Sequence, residues 1–161
     1  MIIRAETTDD IPAIRDIVAA AFGQPAEAGL VDALRQSGDA VMSLVADESG
    51  RIIGHILFSN LQTPENCIAL APVSVAPDRQ NQGIGSALIR EGLARARQSG
   101  WRAVFLLGEP EYYQRFGFSV ALADRFETPY PKPYVMALEL TPGALDQCAG
   151  NVTYAPPFLD L

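Results

Sequence analysis

The sequence predicts a single mixed α/β domain, and three observations carry that reading. Apolar residues recur at helical spacing in some segments and as short strand-like runs in others, so helices and strands interleave. Glycine, proline and capping residues fall at the boundaries of those segments, with no internal repeat and no linker-like stretch. The length, 161 residues, suits one unit that buries roughly two thirds of its unfolded surface.

Met1–Glu6 reads as a short strand. Thr7-Thr8-Asp9-Asp10 offers helix caps, and Pro12 falls in a first turn, where its missing N–H costs nothing. Ile14, Ile17, Val18 and Ala21 follow at helical spacing until Gly23 and Pro25 end the element. Ala26–Ser37, with Leu30, Val31 and Leu34 on one side, is a second helix stopped by Gly38. Val41–Asp47 and Arg51–Ser59 flank a Glu48-Ser49-Gly50 turn and predict a hairpin. Cys67–Val75 is an apolar strand interrupted by Pro72, which cannot donate to a ladder and so predicts a bulge or an unpaired stretch. A helix is expected from Gln82 to Gln98, with Ile84, Leu88, Ile89, Gly92, Leu93 and Ala96 on its apolar side. Ala103–Leu107 is a buried strand and Pro110–Phe116 a short helix. Phe118–Leu122 and Tyr134–Leu140 are read as strands, separated by an extended proline-rich loop at Pro129–Pro133. The order β-α-α-β-β-β-α-β-α-β-β is that of one mixed domain. The apolar, helix-hostile tail after it either covers the sheet or supports a dimer.

Composition narrows the function. The formal net charge is −7, which argues against a general nucleic-acid binder, since that role needs a basic surface. No apolar run approaches the roughly 18–20 residues that span a bilayer. Charges interrupt Met1-Ile2-Ile3-Arg4-Ala5-Glu6 where a signal peptide would be apolar, so a cytoplasmic protein is expected. Two cysteines and one histidine make neither a disulfide framework nor a zinc cage, so no metal is expected.

The charge is unevenly spread. Residues 79–102 hold Arg79, Arg90, Arg95, Arg97 and Arg102 against Glu91, net +4, so the rest of the chain carries −11. A solvated helix face is the ordinary explanation of such an island, but this one opens on a glycine turn. Val73-Ser74-Val75 leads through Ala76-Pro77-Asp78-Arg79 into Gln80-Asn81-Gln82-Gly83-Ile84-Gly85-Ser86, a strand, a loop and a helix start. The unpaired N–H groups and positive dipole end of a helix start attract phosphate, and glycine lets a ligand approach the backbone. The turn is not a P-loop, because no lysine follows Gly85. Nor is it a dinucleotide fingerprint, because Leu88 stands at the last position.

Gln80-x-x-Gly83-x-Gly85 after an apolar strand resembles the acyl-CoA signature of the GNAT superfamily of N-acetyltransferases. Some thirty residues on, Tyr113-Gln114-Arg115-Phe116-Gly117-Phe118 is similar to that family's second motif, Y-x-x-x-G-F. The segment from Leu107 to Phe118 is most similar to the YhbS-like branch. The resemblance covers about residues 1–140, leaving 141–161 as a C-terminal extension of one domain. It implies a central, mostly antiparallel mixed sheet flanked by helices. It also implies acetyl-CoA as co-substrate, with its pyrophosphate on Gln80, Asn81, Gln82, Gly83, Ile84, Gly85 and Ser86. The pantetheine arm would lie along Val73, Ser74 and Val75, and some of the arginines of the basic island would meet nucleotide phosphates. The acceptor would be a primary amine of a small molecule or peptide, and the protein a monomer or homodimer.

The resemblance gives Tyr113 the role of proton donor to the departing thiolate, against a packing role. Tyr112, with the wrong spacing, reads as a core or cofactor-packing aromatic. The family's glutamate fourteen residues before the motif glycine is replaced by Ala69, and the asparagine seven residues before the tyrosine by Leu106. A lysine-like amine is neutral in only about 1 molecule in 2,500 at pH 7, so a base or a proton exit path helps. His55 is one candidate base, with a structural role as the alternative. Glu109 is another, against helix capping, and a water chain is a third route. Cys67 reads as packing, and the Asn151-Val152-Thr153 sequon as chance. Two rivals stand beside the enzyme: a non-catalytic acyl-CoA-binding or regulatory module, and an acidic interaction domain.

Overall fold

The computed structural model describes the whole chain, Met1–Leu161. β1 (Ile2–Ala5) runs through one 3-10 turn into α1 (Ile11–Phe22). The join is fixed by Asp10, whose carboxylate accepts from the Thr7 N–H at 2.7 Å and from both terminal nitrogens of Arg4 at 2.7 and 3.0 Å. α1 buries Ile14, Ile17 and Val18, and Gly23 ends it in the left-handed region at φ 71°. α2 (Ala26–Ser37) buries Ala28, Leu30, Val31 and Leu34. The expected hairpin is β2 (Ala40–Glu48) and β3 (Arg51–Asn60), turned by Ser49 and Gly50, both at positive φ, as a tight hairpin turn requires.

β4 (Cys67–Val75), α3 (Ile84–Gln98) and β5 (Ala103–Leu107) follow. Then come α4 (Pro110–Tyr113), α5 (Val120–Ala123), β6 (Phe126–Glu127), β7 (Val135–Glu139) and β8 (Gly150–Asn151). Six strands form one sheet in the order β1-β2-β3-β4-β5-β7, antiparallel throughout except for β4 against β5. α3 covers one face, packing Ile84, Leu88, Ile89 and Leu93 over Ile56, Phe58 and Ile68. The Phe58 ring lies so close to Gly92 that a Cβ there would sit 2.5 Å from it. α1 and α2 cover the other face, over Val45 and Leu57.

Two features of β4 set the site. Its register against β3 slips between Val73, opposite Ile56, and Leu70, opposite Phe58, so the bulge expected at Pro72 is present. Its parallel ladder with β5 runs only from Cys67–Ala103 to Ala69–Phe105, and the two strands part beyond it.

Two expectations are corrected, and one of two open alternatives for the tail is observed. Phe118–Leu122 is not a strand. Ser119 exchanges hydrogen bonds with Ala137 at 2.9 and 3.1 Å, then its Oγ accepts the Leu122 N–H at 3.1 Å and caps α5. A serine cap followed by an alanine-containing turn outweighs the β propensity of Val120. α3 begins at Ile84 rather than Gln82, because Gly83 takes a left-handed conformation at φ 83°. The tail covers the sheet: β8 pairs with β6, and Leu145, Val152, Ala155 and Phe158 are buried. No helix is long and apolar enough to cross a membrane.

Where β1, α2, β2 and β3 meet, Glu6 accepts from Arg35 at 2.7 and 2.8 Å, and both side chains are over four-fifths buried. Burial alone would raise the Glu6 carboxyl, but the His55 ring 3.8 Å away and hydrogen bonds from Arg35 and Ser43 outweigh it and hold it well below the usual carboxylate range. A carboxylate depressed in the folded state stabilises above its unfolded pKa of about 4.3 and loses that contribution as pH falls below it. Glu6→Gln is expected to cost about 2 kcal/mol at pH 7 by removing the two-point carboxylate partner of the largely buried Arg35 and leaving it only Asp32 at 3.0 Å. Urea denaturation should show the gap to wild type narrowing steadily below about pH 4.

Candidate active site

The glycine turn has the geometry of an anion seat. After β4 ends, a 3-10 turn at Pro77–Arg79 leads to Gln80 in extended conformation, then Asn81 and Gly83 at φ 63° and 83°. Ala87 N–H donates to the Gly83 carbonyl, which closes the first turn, and no intramolecular acceptor is found for the N–H groups of Gly83 to Ser86. Gln80 Nε2 donates to the Val75 carbonyl at 3.2 Å and ties the turn to the strand. Gln82 faces away from the seat, its Oε1 accepting from Arg79. A cavity of about 310 Å³ opens here, walled by Val75, Gln80, Asn81, Gly85 and Ser86 and closed by Tyr112 and Arg115. A Cβ on Gly85 would stand 3.6 Å from Val75 Cγ2 and 3.8 Å from the Tyr112 hydroxyl. It would therefore intrude on this space.

The charge around the turn meets the expectation only in part. Arg79, alone of the island's arginines, lines this cavity, and it is bound to Glu48 at 2.5 and 2.8 Å. Arg97 donates to the Leu140 carbonyl and Arg102 to the Ala144 carbonyl and the Cys148 Sγ. Arg95 faces Glu91 at 3.6 Å, and Arg90 lies over the Phe116 ring. The basic island thus mostly braces the fold. The cation at the seat without a carboxylate partner is Arg115, stacked 4.5 Å over the Tyr112 ring. It lies outside the island, and only its place inside the second motif hinted at it.

Beyond Ala69 the strands part, and a cavity of about 450 Å³ fills the gap, on the wall of which lie Leu70, Ala71, Pro72, Val73, Leu107 and Tyr113. Ala76 N–H donates to Ile53, so strand alternation turns the backbone groups of Ser74 toward β3 and those of Val73 and Val75 toward the gap. Val73 lines this cavity and Val75 the glycine-turn cavity, so one stretch of β4 joins the two. The Ser74 side chain is buried in register with His55, away from both.

Tyr113 sits over Gly108, where any Cβ would overlap its ring, and packs edge-on to Tyr112 and Phe118 at 4.9 and 6.0 Å. Burial, and the neighbouring Tyr112, push its hydroxyl above the ordinary phenol value, so it holds its proton at neutral pH. Tyr112 turns the other way, its hydroxyl 3.3 Å from Ser86 Oγ.

His55 does not reach either cavity. It is fully buried, with Nε2 2.8 Å from Ser43 Oγ and 3.8 Å from Glu6, and burial lowers its pKa. A base with no access to solvent or to the cavity cannot take an acceptor's proton, so the candidate base is corrected to a structural group. Glu109 lines neither cavity and stands at the N-cap of α4, its carbonyl accepting from Tyr112 and Tyr113. Cys67 is buried, as expected. The charged residue on the larger cavity is one the sequence did not single out, Glu27 of α2.

A strand with unpaired backbone groups, a helix start with free N–H groups at one end and a protonated phenol at the other are the arrangement an acyltransferase needs. Comparisons with known proteins agree. Residues 11–118 match the acetyltransferase (GNAT) family. The chain is 38% identical over 133 residues to the uncharacterized N-acetyltransferase YjhQ of Escherichia coli (strain K12), covering 77% of this chain and 73% of that one. It is 33% identical to the uncharacterized N-acetyltransferase YhbS of the same strain, over 98% of each chain. The crystal structure of YhbS from Escherichia coli in complex with CoA superimposes with a TM-score of 0.92 at 32% identity, over 98% of this chain and 91% of that one. A GNAT family acetyltransferase from Brucella melitensis in complex with acetyl-CoA gives 0.83 at 39%, over 98% and 97%. The chain belongs to the acetyltransferase (GNAT) family and is an acyl-CoA-dependent N-acetyltransferase.

Two glycines of the site separate two physical effects. Gly108→Ala is expected to cost about 1–3 kcal/mol through overpacking against the Tyr113 ring. Gly83→Ala meets nothing within 4 Å and should cost only about 1 kcal/mol, from the left-handed backbone alone. Urea denaturation of both variants checks the order.

Proposed function

We propose that the protein transfers an acetyl group from acetyl-CoA to a primary amine of a small molecule or peptide by direct attack, with Tyr113 as proton donor to the CoA thiolate. The observation that carries this is the continuity of the two cavities along the unpaired stretch of β4. Acetyl-CoA supplies an activated thioester and an anionic handle. The N–H groups of Gly83 to Ser86 and the Arg115 guanidinium receive the pyrophosphate, with Gln80 and Asn81 shaping the turn. The Val73 carbonyl and the Val75 N–H hold the pantetheine amides as an added strand would, the Val75 carbonyl being taken by Gln80. Ser74 ties β4 to β3 and reaches neither cavity, and Gln82 contributes backbone only. The Val73 N–H polarises the thioester carbonyl.

In the reaction the amine nitrogen bonds to the acetyl carbon, the carbon–sulfur bond breaks, and Tyr113 gives its proton to sulfur. The amine's own proton leaves to water, since neither His55 nor Glu109 lines the cavity. The alternative, a non-catalytic acyl-CoA-binding module, draws on Ala69 and Leu106, buried apolar residues where many members carry polar ones.

Release of CoA in the presence of an amine panel decides between them, as turnover excludes the binding module. Tyr113→Phe should lower kcat by about 100-fold with acetyl-CoA affinity unchanged in calorimetry. An unchanged kcat removes Tyr113 from the mechanism. Because burial raises Tyr113, the wild-type rate should climb with pH as the amine deprotonates and hold until above about pH 10. Arg115→Gln should weaken acetyl-CoA binding by about tenfold and flatten its dependence on salt.

A further inference from the structure

The wall of the larger cavity is chemically one-sided. Glu27 is its single charged side chain; its other side chains are hydrocarbon and aromatic ring, relieved only by tyrosine hydroxyls. Glu27 is half-buried in the first turn of α2, its two carboxylate oxygens receiving Gln24 Nε2 at 3.0 and 3.1 Å, and it has no cationic partner. Opposite chemistry comes from the C-terminal segment and the proline-rich loop. Tyr154 packs edge-on between Tyr130 and Phe158, with ring centroids at 5.4 and 4.9 Å, and all three rings line the cavity. That wall is held in place rather than draped. Thr153 N–H donates to the Thr63 carbonyl at 3.0 Å, Gln62 N–H donates to the Thr153 carbonyl at 2.8 Å, and Thr63 Oγ1 donates to the Asn151 carbonyl at 2.7 Å.

We propose that the acceptor is a monocationic primary amine carried on an aromatic or bulky alkyl body, with Glu27 anchoring its ammonium group and the Tyr130–Tyr154–Phe158 cluster taking the body. This rests on the transferase reading and names the substrate class of that same site. One carboxylate offsets one ammonium. A polyamine would bring further charges to a wall with no second anionic side chain, and an aminosugar or a peptide would bring more hydroxyls or backbone amides than the wall's few polar groups can pair. Aromatic faces favour the apolar body and also tolerate a cation near its point of attachment. The docked form is the ammonium; the anchor raises its local concentration, and the fraction that deprotonates is the nucleophile.

The test uses the full chain, saturating acetyl-CoA and CoA release as readout. The acceptors are 2-phenylethylamine, hexylamine, ethanolamine, spermidine and a lysine-containing peptide. The expected result is a kcat/KM for 2-phenylethylamine about 50-fold or more above that for ethanolamine, with spermidine and the peptide poor. Glu27→Gln, which keeps the shape of the side chain, should raise KM for 2-phenylethylamine about tenfold or more with kcat within about threefold and KM for acetyl-CoA unchanged. Phe158→Leu, checked for an intact melting transition, should erode the preference for 2-phenylethylamine over hexylamine. A preference for spermidine, ethanolamine or the peptide would overturn the inference and leave the transferase reading standing. So would a Glu27→Gln variant that loses kcat at constant KM, which would make Glu27 a base. A preference for octanoyl-CoA over acetyl-CoA without selectivity among amines would assign the cavity to the acyl chain and equally overturn it. No turnover with any amine, with acetyl-CoA still bound in calorimetry, would remove the transferase reading and the inference together.

Discussion

The parting of β4 from β5 after the Ala69–Phe105 pair is the constraint on which the rest of the site depends. Backbone N–H and C=O groups left facing a gap are costly unless something pairs with them, so an unfilled parting in mid-sheet would be a defect. Here it is built in from both sides. The bulge at Ala71–Pro72 bends β4 while its pairing with β3 resumes at Val73 and continues to Val75. β5, meanwhile, ends its sheet pairing with β7 at Leu107 and turns at Gly108 into α4. The gap is thus held open by two strands each secured on the far side, and it stays available to a ligand that behaves like a strand.

The same parting explains why charge in the sequence and charge in space differ. Five arginines between residues 79 and 102 look like a phosphate site, but α3 lies across the sheet and most of its basic side chains turn to carbonyls and carboxylates at the sheet's margin. Arg97 reaches the Leu140 carbonyl and Arg95 the Ile3 carbonyl, near opposite edges of the sheet. Arg79 is neutralised by Glu48 from the β2–β3 hairpin. What remains positive at the seat is the helix N-terminus itself and Arg115, delivered from the other side of the gap by the turn after α4.

Local signals made the architecture legible. The caps at Thr7–Asp10, the Ser49-Gly50 turn and the proline within β4 are all short-range chemistry, and each acts in the structure where the sequence places it. Phe118–Leu122 was misread because a single serine hydroxyl, capping α5, outweighed β-branched and aromatic neighbours. The site was legible only where it is made of backbone or of a motif. Glu27 and Arg115 become site residues through cavities whose walls come from distant parts of the chain, and nothing at spacings of three or four residues marks them. His55 illustrates the reverse: its chemistry suits a base, but strand alternation points it at Ser43 and Glu6, on a side the sequence could not weigh. The apolar tail hid most, since its aromatic residues are core and cavity wall at once.

Tyr112 and Tyr113 show how finely the junction is set. Adjacent residues on a helix point about 100° apart, and α4 lies where the two cavities meet, so one phenol goes to each. Tyr112 is committed to the turn by Ser86 and covered by Arg115, which places its ring on the wall of the glycine-turn cavity. Tyr113 is half-buried beside Val73 and Leu107, with no hydrogen-bond partner of its own recorded in the protein and a proton that burial makes harder to lose. An acid for a departing thiolate needs those properties together: a proton retained at neutral pH, no competing acceptor, and a position at the parting of the strands. Gly108 supplies the last of them, since only a residue without a Cβ lets the ring lie flat enough on β5's end to reach the gap.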